Sequence, residues 1–303
     1  HHVEQFIQQV LSGLANGAIY ACVALALVMI FVSTDHLNFA QGEMAMFSTY
    51  LCWQMIQWGL NFWVALILAA VVSFIIGVIC ERVVLRPLHK APLLSIVVVF
   101  IGMLAIFHSL AGAIWSHTIK EFPSPFPKVT FAGSGYIGPH QIGMIAVALI
   151  LLSALFAFFR YTPLGLAMRA AAQNPTSARL AGVKVDWMLA LGWGLAAAVG
   201  AVAGAMVAPA VYLEPNMMAS ILLYGFAGAL VGGIGNPGGA VAGGFIVGVL
   251  ENLVGYFGNM MEKATGFYLI GNGEKLTVAL IIVIAVLTIK PSGLFGRITV
   301  KRV

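Results

Sequence analysis

The groups best able to do acid–base or metal chemistry are scarce in this chain: ten Asp and Glu and seven His among 303 residues. They crowd together once. Residues 33–46 read STDHLNFAQGEMAM, with Asp35, His36, Asn38, Gln41 and Glu43 set between two apolar runs. Polar groups at membrane depth are costly and tend to face a cavity or a partner helix. Gly42 lets the backbone bend there. Two readings stand: a break that lines a route through the bilayer (Asn38, Gln41, Gly42, Glu43), or a turn with capping residues. Glu43 would also complement the positive end of the following helix. A second carboxylate, Glu251 in GVLENLVGY, lies inside an apolar run. It reads either as a contact for a proton or a permeating molecule, or as one half of a structural hydrogen bond. No GxxxxGK[ST] phosphate loop, HExxH pair or GxSxG elbow occurs. Cys22, Cys52 and Cys80 match no metal spacing and read as packing residues. No catalytic residue, metal ligand or cofactor site is assigned to this chain.

The third polar stretch is basic. RYTPLGLAMRAAAQNPTSARLAGVKVD, residues 160–186, separates two apolar runs long enough to span a bilayer. Thr162-Pro163 and Asn174-Pro175 each read as an N-cap followed by a first helical position. Gly182 reads as a C-terminal stop. Two short helices at the membrane surface are expected, carrying Arg169, Arg179 and Lys184. That is a folded, charged element on which a partner protein could push.

These groups need elements to hold them, and the composition names the kind. The chain is 61% hydrophobic and 8% charged, where a soluble domain carries about 25% charged residues. An all-α, polytopic membrane bundle follows. A helix rises about 1.5 Å per residue, so about 20 residues cross the hydrocarbon core. Nine segments are expected: 6–31, 40–58, 62–85, 93–115, 140–159, 186–208, 218–234, 239–257 and 275–290. The second, seventh and ninth are short or interrupted and are candidates for re-entry. His1 and His2 read as a tag remnant. The first run is read as a retained span.

Charge sets the orientation. With the N-terminus outside, Arg82, Arg86, Lys90, Arg160, Arg169, Arg179, Lys184, Lys290, Arg297, Lys301 and Arg302 face the cytoplasm. Lys120, Lys128, Lys263 and Lys275 face outward. Eleven of the 15 basic residues on one side is the positive-inside pattern, with N-out and C-in. This clustering also accounts for the +5 net charge without nucleic acid. The loop 116–139, with Pro123, Pro125, Pro127, Gly133, Gly135 and Gly138, is the longest outer connection. It reads as a docking surface or a packed connector.

Residues 232–244, GGIGNPGGAVAGG, form a second interruption around Asn236-Pro237-Gly238. Gly228, Gly232, Gly239, Gly243, Gly244 and Gly248 give small-xxx-small spacing, which lets helix backbones approach. Helix packing is read for Gly228, Gly239, Gly243, Gly244 and Gly248. Gly232 and Asn236 join the route-lining set. Both interruptions put a Gly-containing break before a helix of small residues, the pattern of a weak internal repeat.

LNFAQGEMAM (37–46), ERVVLRPL (81–88), the block 162–186, GFAGALVGGIGNPGGAVAGG (225–244) and KPSGLFG (290–296) occur together. In that combination the chain resembles the permease subunits of branched-chain amino-acid ABC importers, the smaller of their two paralogous permeases. The resemblance covers nearly the whole chain. It implies a type II-like importer permease, built as one transmembrane domain over 1–303. Spans occupy 3–159, cytoplasmic coupling helices 160–185, and further spans with a short tail 186–303. It implies a bacterial inner-membrane location. The implied partners are a second, paralogous permease, two cytoplasmic ATPases that carry ATP and Mg²⁺, and a periplasmic substrate-binding protein. Branched-chain or other hydrophobic amino acids would cross by alternating access. Relatives of the same architecture carry urea, short amides or organic carboxylates. The coupling set carried over is Arg169, Asn174, Pro175, Thr176, Ala178, Arg179, Leu180 and Gly182. Arg179 would meet acidic ATPase residues or, on the alternative reading, anionic membrane lipid. ERVVLRPL, with Arg82, Arg86 and Lys90, would be a second ATPase contact. The rival class is a stand-alone ion-coupled transporter, with Glu43 and Glu251 as its candidate ion ligands.

Overall fold

A bilayer offers backbone groups no hydrogen-bond partner, so a chain this apolar satisfies them within helices. The computed structural model describes residues 2–34, 36–88, 90–126, 138–266 and 275–296. Asp35, Pro127, Lys128, Gly133, Gly135, Arg297, Lys301 and Arg302 lie outside the described residues. The elements are α1 (His2–Thr34), α2 (Gln41–Gln57), α3 (Phe62–Ile79), α4 (Leu93–Trp115), α5 (Pro139–Tyr161), α6 (Pro163–Gln173), α7 (Pro175–Leu180), α8 (Val185–Val211), α9 (Ala219–Gly232), α10 (Pro237–Thr265) and α11 (Lys275–Ile289). α3 runs on into a π-helical turn, Cys80–Leu85, and a 3-10 turn, Arg86–Leu88.

Among the described residues, six helical stretches are long and apolar enough to cross a membrane: Val3–Val32, Phe62–Leu88, Leu93–Trp115, Pro139–Tyr161, Val185–Val211 and Pro237–Thr265. They correspond to six of the nine expected segments, and the other three are shorter helices. α2, α9 and α11 have 17, 14 and 15 residues. At ~1.5 Å per residue, 14 residues reach only ~21 Å against a core of ~30 Å. These three are the segments the sequence marks as short. α10 is longer than expected, chiefly because it runs on past residue 257 to Thr265.

The chain packs as two compact units that do not follow chain order. One contains His1–Val28, Phe126–Leu149 and Ser220–Val303, and the other Met29–Pro125 and Ile150–Ala219. In the second unit α8 is the hub, lying against α2 and α3. Its small residues permit this. A Cβ on Gly200 would come 2.7 Å from Gln41 Nε2, and one on Gly77 of α3 would come 2.6 Å from the Trp193 carbonyl. In the first unit α1, α9 and α10 meet through glycines. A Cβ on Gly13 would come 2.7 Å from Val249 Cα, and one on Gly243 would overlap the Gly228 carbonyl.

The two ends of α8 are fixed differently. Beyond its C-terminus, Leu213 and Lys120 exchange backbone hydrogen bonds of 2.8 and 2.9 Å, the one isolated bridge among the described residues. At its N-terminus, Arg86 donates to the Asp186 carbonyl at 2.9 Å.

Candidate functional site: a capped basic helix pair and two polar breaks

The basic helix pair is built by local signals. The Thr162 hydroxyl accepts from Gly165 N at 3.0 Å and donates to the Phe158 carbonyl. Asn174 Oδ1 accepts from Ser177 N at 3.1 Å. Pro163 and Pro175 open the two helices, where a missing N–H costs nothing. Gly182 closes α7 at φ +90°. Its N–H donates to the Arg179 carbonyl, and Val183 N to the Ala178 carbonyl, the paired bonds of a Schellman stop. Ala171 and Ala178 are buried against Val185 and Leu189, which seats the pair on the first turns of α8.

That packing decides which residues face outward. Arg169, Asn174, Pro175, Thr176, Arg179, Leu180 and Gly182 are exposed, and Ala178 is buried. Leu180 is 86% exposed, a large apolar side chain on a charged surface element. Arg179 lies 3.5 Å from Asp186, with both side chains more than half exposed, so the pair adds little stability.

Arg82 and Arg86 do not point into open solvent. The Arg82 guanidinium sits 3.5 Å from the centre of the Trp187 ring. Arg86 reaches Glu81 at 3.4 Å in addition to the Asp186 carbonyl. Both cations of ERVVLRPL are therefore engaged within the chain, and Lys90 stays exposed.

The first polar break is buried in the second unit. Asn38 is fully buried; its Oδ1 accepts from Ala40 N at 3.0 Å and its Nδ2 faces Met44 Sδ at 3.6 Å. Gln41 donates to the Ala196 carbonyl of α8 at 3.0 Å. Gly42 is buried beside it in the first turn of α2. Glu43 pairs with His108 Nδ1 of α4 at 3.1 Å. Farther along α2, the Ser73 hydroxyl of α3 donates to Ser48 Oγ at 2.5 Å. Gln41 Oε1, Tyr50 Oη and Trp193 Nε1 are buried polar atoms with no hydrogen-bond partner.

The second break and Glu251 belong to the first unit. Asn236 caps α10 by accepting from Gly239 N at 3.3 Å, and its Nδ2 donates to the Phe295 carbonyl at 3.1 Å. Phe295 N in turn donates to the Gly232 carbonyl at 3.1 Å. KPSGLFG is thus folded over the turn between α9 and α10. Gly228, Gly239, Gly243, Gly244 and Gly248 all sit where a Cβ would strike a facing backbone. Glu251 accepts from the Tyr20 hydroxyl of α1 at 2.6 Å, and Asn252 accepts from Asn16 at 3.1 Å. The route-lining residues read from the sequence accordingly fall into two sets. Asn38, Gln41, Gly42 and Glu43 lie in one unit, and Gly232, Asn236 and Glu251 in the other. Among the described residues, no three His, Cys, Asp or Glu side chains converge as a metal would require.

Residues 9–289 match the family model described as branched-chain amino acid transport system / permease component. The chain belongs to this family. The permease is 28% identical to the high-affinity branched-chain amino acid transport system permease protein LivH of Salmonella typhimurium, over 98% of each chain. It is 28% identical to BraD of Pseudomonas aeruginosa, over 99% of each. It is also 28% identical to a probable LivH of Methanocaldococcus jannaschii, over 90% of this chain and 87% of that one. Among solved structures it is similar to PsaBC from Streptococcus pneumoniae in complex with Fab. That TM-score is 0.50 at 13% identity, covering 93% of this chain and 91% of that one, a likeness of fold.

Sequence reasoning misses four partners in the permease: His108, Tyr20, Asp186 and Trp187. The signal for His108 was present, as an ionisable residue within an apolar helix demands a partner. What the sequence withholds is which helix supplies it.

Proposed function

We propose that this permease is the transmembrane subunit of an ATP-driven importer that moves branched-chain or other hydrophobic amino acids across a bacterial inner membrane. The single observation that carries the coupling half of this reading is the outward face of α6 and α7. Two rigidly capped helices present Arg169, Thr176, Arg179 and an 86% exposed Leu180. An exposed apolar side chain on a basic helix pair has the chemistry to seat in a groove with an acidic rim on a nucleotide-hydrolysing partner. Family membership and the names of the three relatives support the cargo class.

In this reading the helix-pair face is cytoplasmic, the N-terminus is outside and the C-terminus inside. Two ATPases, carrying ATP and Mg²⁺, bind that face of the permease and of a paralogous second permease. A substrate-binding protein delivers cargo at the opposite face. Because α6 and α7 are seated on the first turns of α8, a shift of the pair moves α8 as a body. Such a shift favours one access state only if the ATPase contacts differ between its two nucleotide states. Asn38, Gln41 and Glu43 in one unit, and Asn236 and Glu251 in the other, are the polar side chains assigned to the route, and a passing amino acid reaches the buried ones only in another access state.

The test is reconstitution in proteoliposomes with the companion subunits and labelled leucine. Uptake that requires ATPase and ATP supports the proposal. Uptake by this chain alone, driven by an ion gradient, overturns it. Leu180→Glu should abolish co-purification of the ATPase while the permease still inserts and folds.

A further inference from the structure

The contacts at the end of α3 reassign two arginines. Glu81 and Arg86 are five residues apart. On an α-helix such residues do not face each other, because neighbours lie three and four apart. They meet here because Cys80–Leu85 is π-helical. The widened turn brings Arg86 within 3.4 Å of a Glu81 carboxylate that is nearly buried, and within 2.9 Å of the Asp186 carbonyl. Arg82, four residues before Arg86, covers the Trp187 ring at 3.5 Å. A cation over an indole face is held by the ring quadrupole, and more firmly where water is partly excluded. Asp186 and Trp187 are the second and third residues of α8, directly after the helix pair. The Asp186 carboxylate also meets Arg179 of α7. Three cations from two directions thus converge on one helical turn.

We propose that Arg82 and Arg86 are positioning residues of the coupling machinery. They clamp the π-helical end of α3 to the first turn of α8, so that a push on α6 and α7 carries α3 along with α8. The proposal rests on α6 and α7 being the element that the ATPase engages. It replaces direct ATPase contact as the role of these two residues.

The experiment uses the assembled complex in nanodiscs, with spin labels at Val83 and at Gln173 of α6, both exposed. The expected result is one label separation, unchanged by ATP, in the otherwise native complex. In the Arg82→Ala, Arg86→Ala variant the ATPase still co-purifies, and ATP shifts or broadens the separation. The Arg82→Lys, Arg86→Lys variant recovers part of the native distribution, because an ammonium still binds the indole face. A separation in the alanine variant that stays narrow and unmoved by ATP overturns the clamp. So does loss of the ATPase from that variant, which would make the arginines docking residues. If Leu180→Glu keeps the ATPase bound, the coupling assignment itself fails and the clamp with it, a pattern distinct from the other two. Should the alanine variant not accumulate, Trp187→Leu removes the same clamp from the α8 side and is read by the same outcomes.

Discussion

Glu43 is an ionisable group placed where water is scarce, and His108 is what makes it tolerable. Removing one member of such a pair costs more than removing both, since the survivor keeps its desolvation penalty. His108→Leu should therefore lower stability by about 1–3 kcal/mol, while Glu43→Leu with His108→Leu should lose less than His108→Leu alone. Thermal midpoints of the purified permease in detergent check this, and a double variant worse than the single would contradict it. Tyr50 presents the opposite case. Its ring stacks on Trp115 with centroids 5.0 Å apart, yet its buried hydroxyl has no partner. Such a hydroxyl carries a penalty of about 1–3 kcal/mol. Tyr50→Phe keeps the stack and removes the orphan, so the midpoint should hold or rise. A fall of several degrees would mean that the hydroxyl is bonded in the folded protein.

Among the elements, those with local punctuation were legible and those defined by their neighbours were not. Thr162-Pro163, Asn174-Pro175 and Gly182 announce α6 and α7, because caps and stops are made by residues close in sequence. The short segments α2, α9 and α11 were legible from length alone. The rotation of each long helix was not. α8 is apolar and small on nearly every side, so nothing in its pattern says that Ala196 and Gly200 face α2. The π-helical turn was equally hidden, since CERVVL would read the same in an α-helix. For the same reason Glu251 showed its need for a partner without disclosing Tyr20. The glycine contacts can be tested directly. Gly243→Ala puts a methyl group onto the Gly228 carbonyl, and overpacking of this kind costs about 1–3 kcal/mol. Its thermal midpoint should fall, and an unchanged value would remove the close crossing of α9 and α10. Asn236→Ala loses a cap worth about 1 kcal/mol and also the tie to Phe295. Chymotryptic cleavage after Phe295 should therefore quicken, as read by mass spectrometry.

At the largest scale, contacts within the second unit tie helix ends together. α4 and α5, each long and apolar enough to cross, lie between ERVVLRPL and the helix pair, and two crossings would return the chain to the face it left. The contacts of Arg86 and Arg82 with Asp186 and Trp187 agree, and the Lys120–Leu213 bridge groups the other ends. With Cys22, Cys52 and Cys80 replaced, a thiol introduced at Lys90 or Thr176 should resist an impermeant maleimide on intact cells. One at Thr118 should react. Labelling of Thr176 together with Thr118 would invalidate the topology. The same interleaving of the chain has a consequence for biogenesis. The stretch from Met29 to Ala219 contains the whole of one packing unit, whereas the glycines of α1 at positions 13 and 17 lie against α10. As the ribosome delivers this protein, its first helix can meet α5 through Ser12 and Gln141, but its glycine seam stays open in lipid until translation has passed residue 249. A nascent chain stalled before that point would show the cell's quality-control proteases a first helix whose glycine face still lacks its mate.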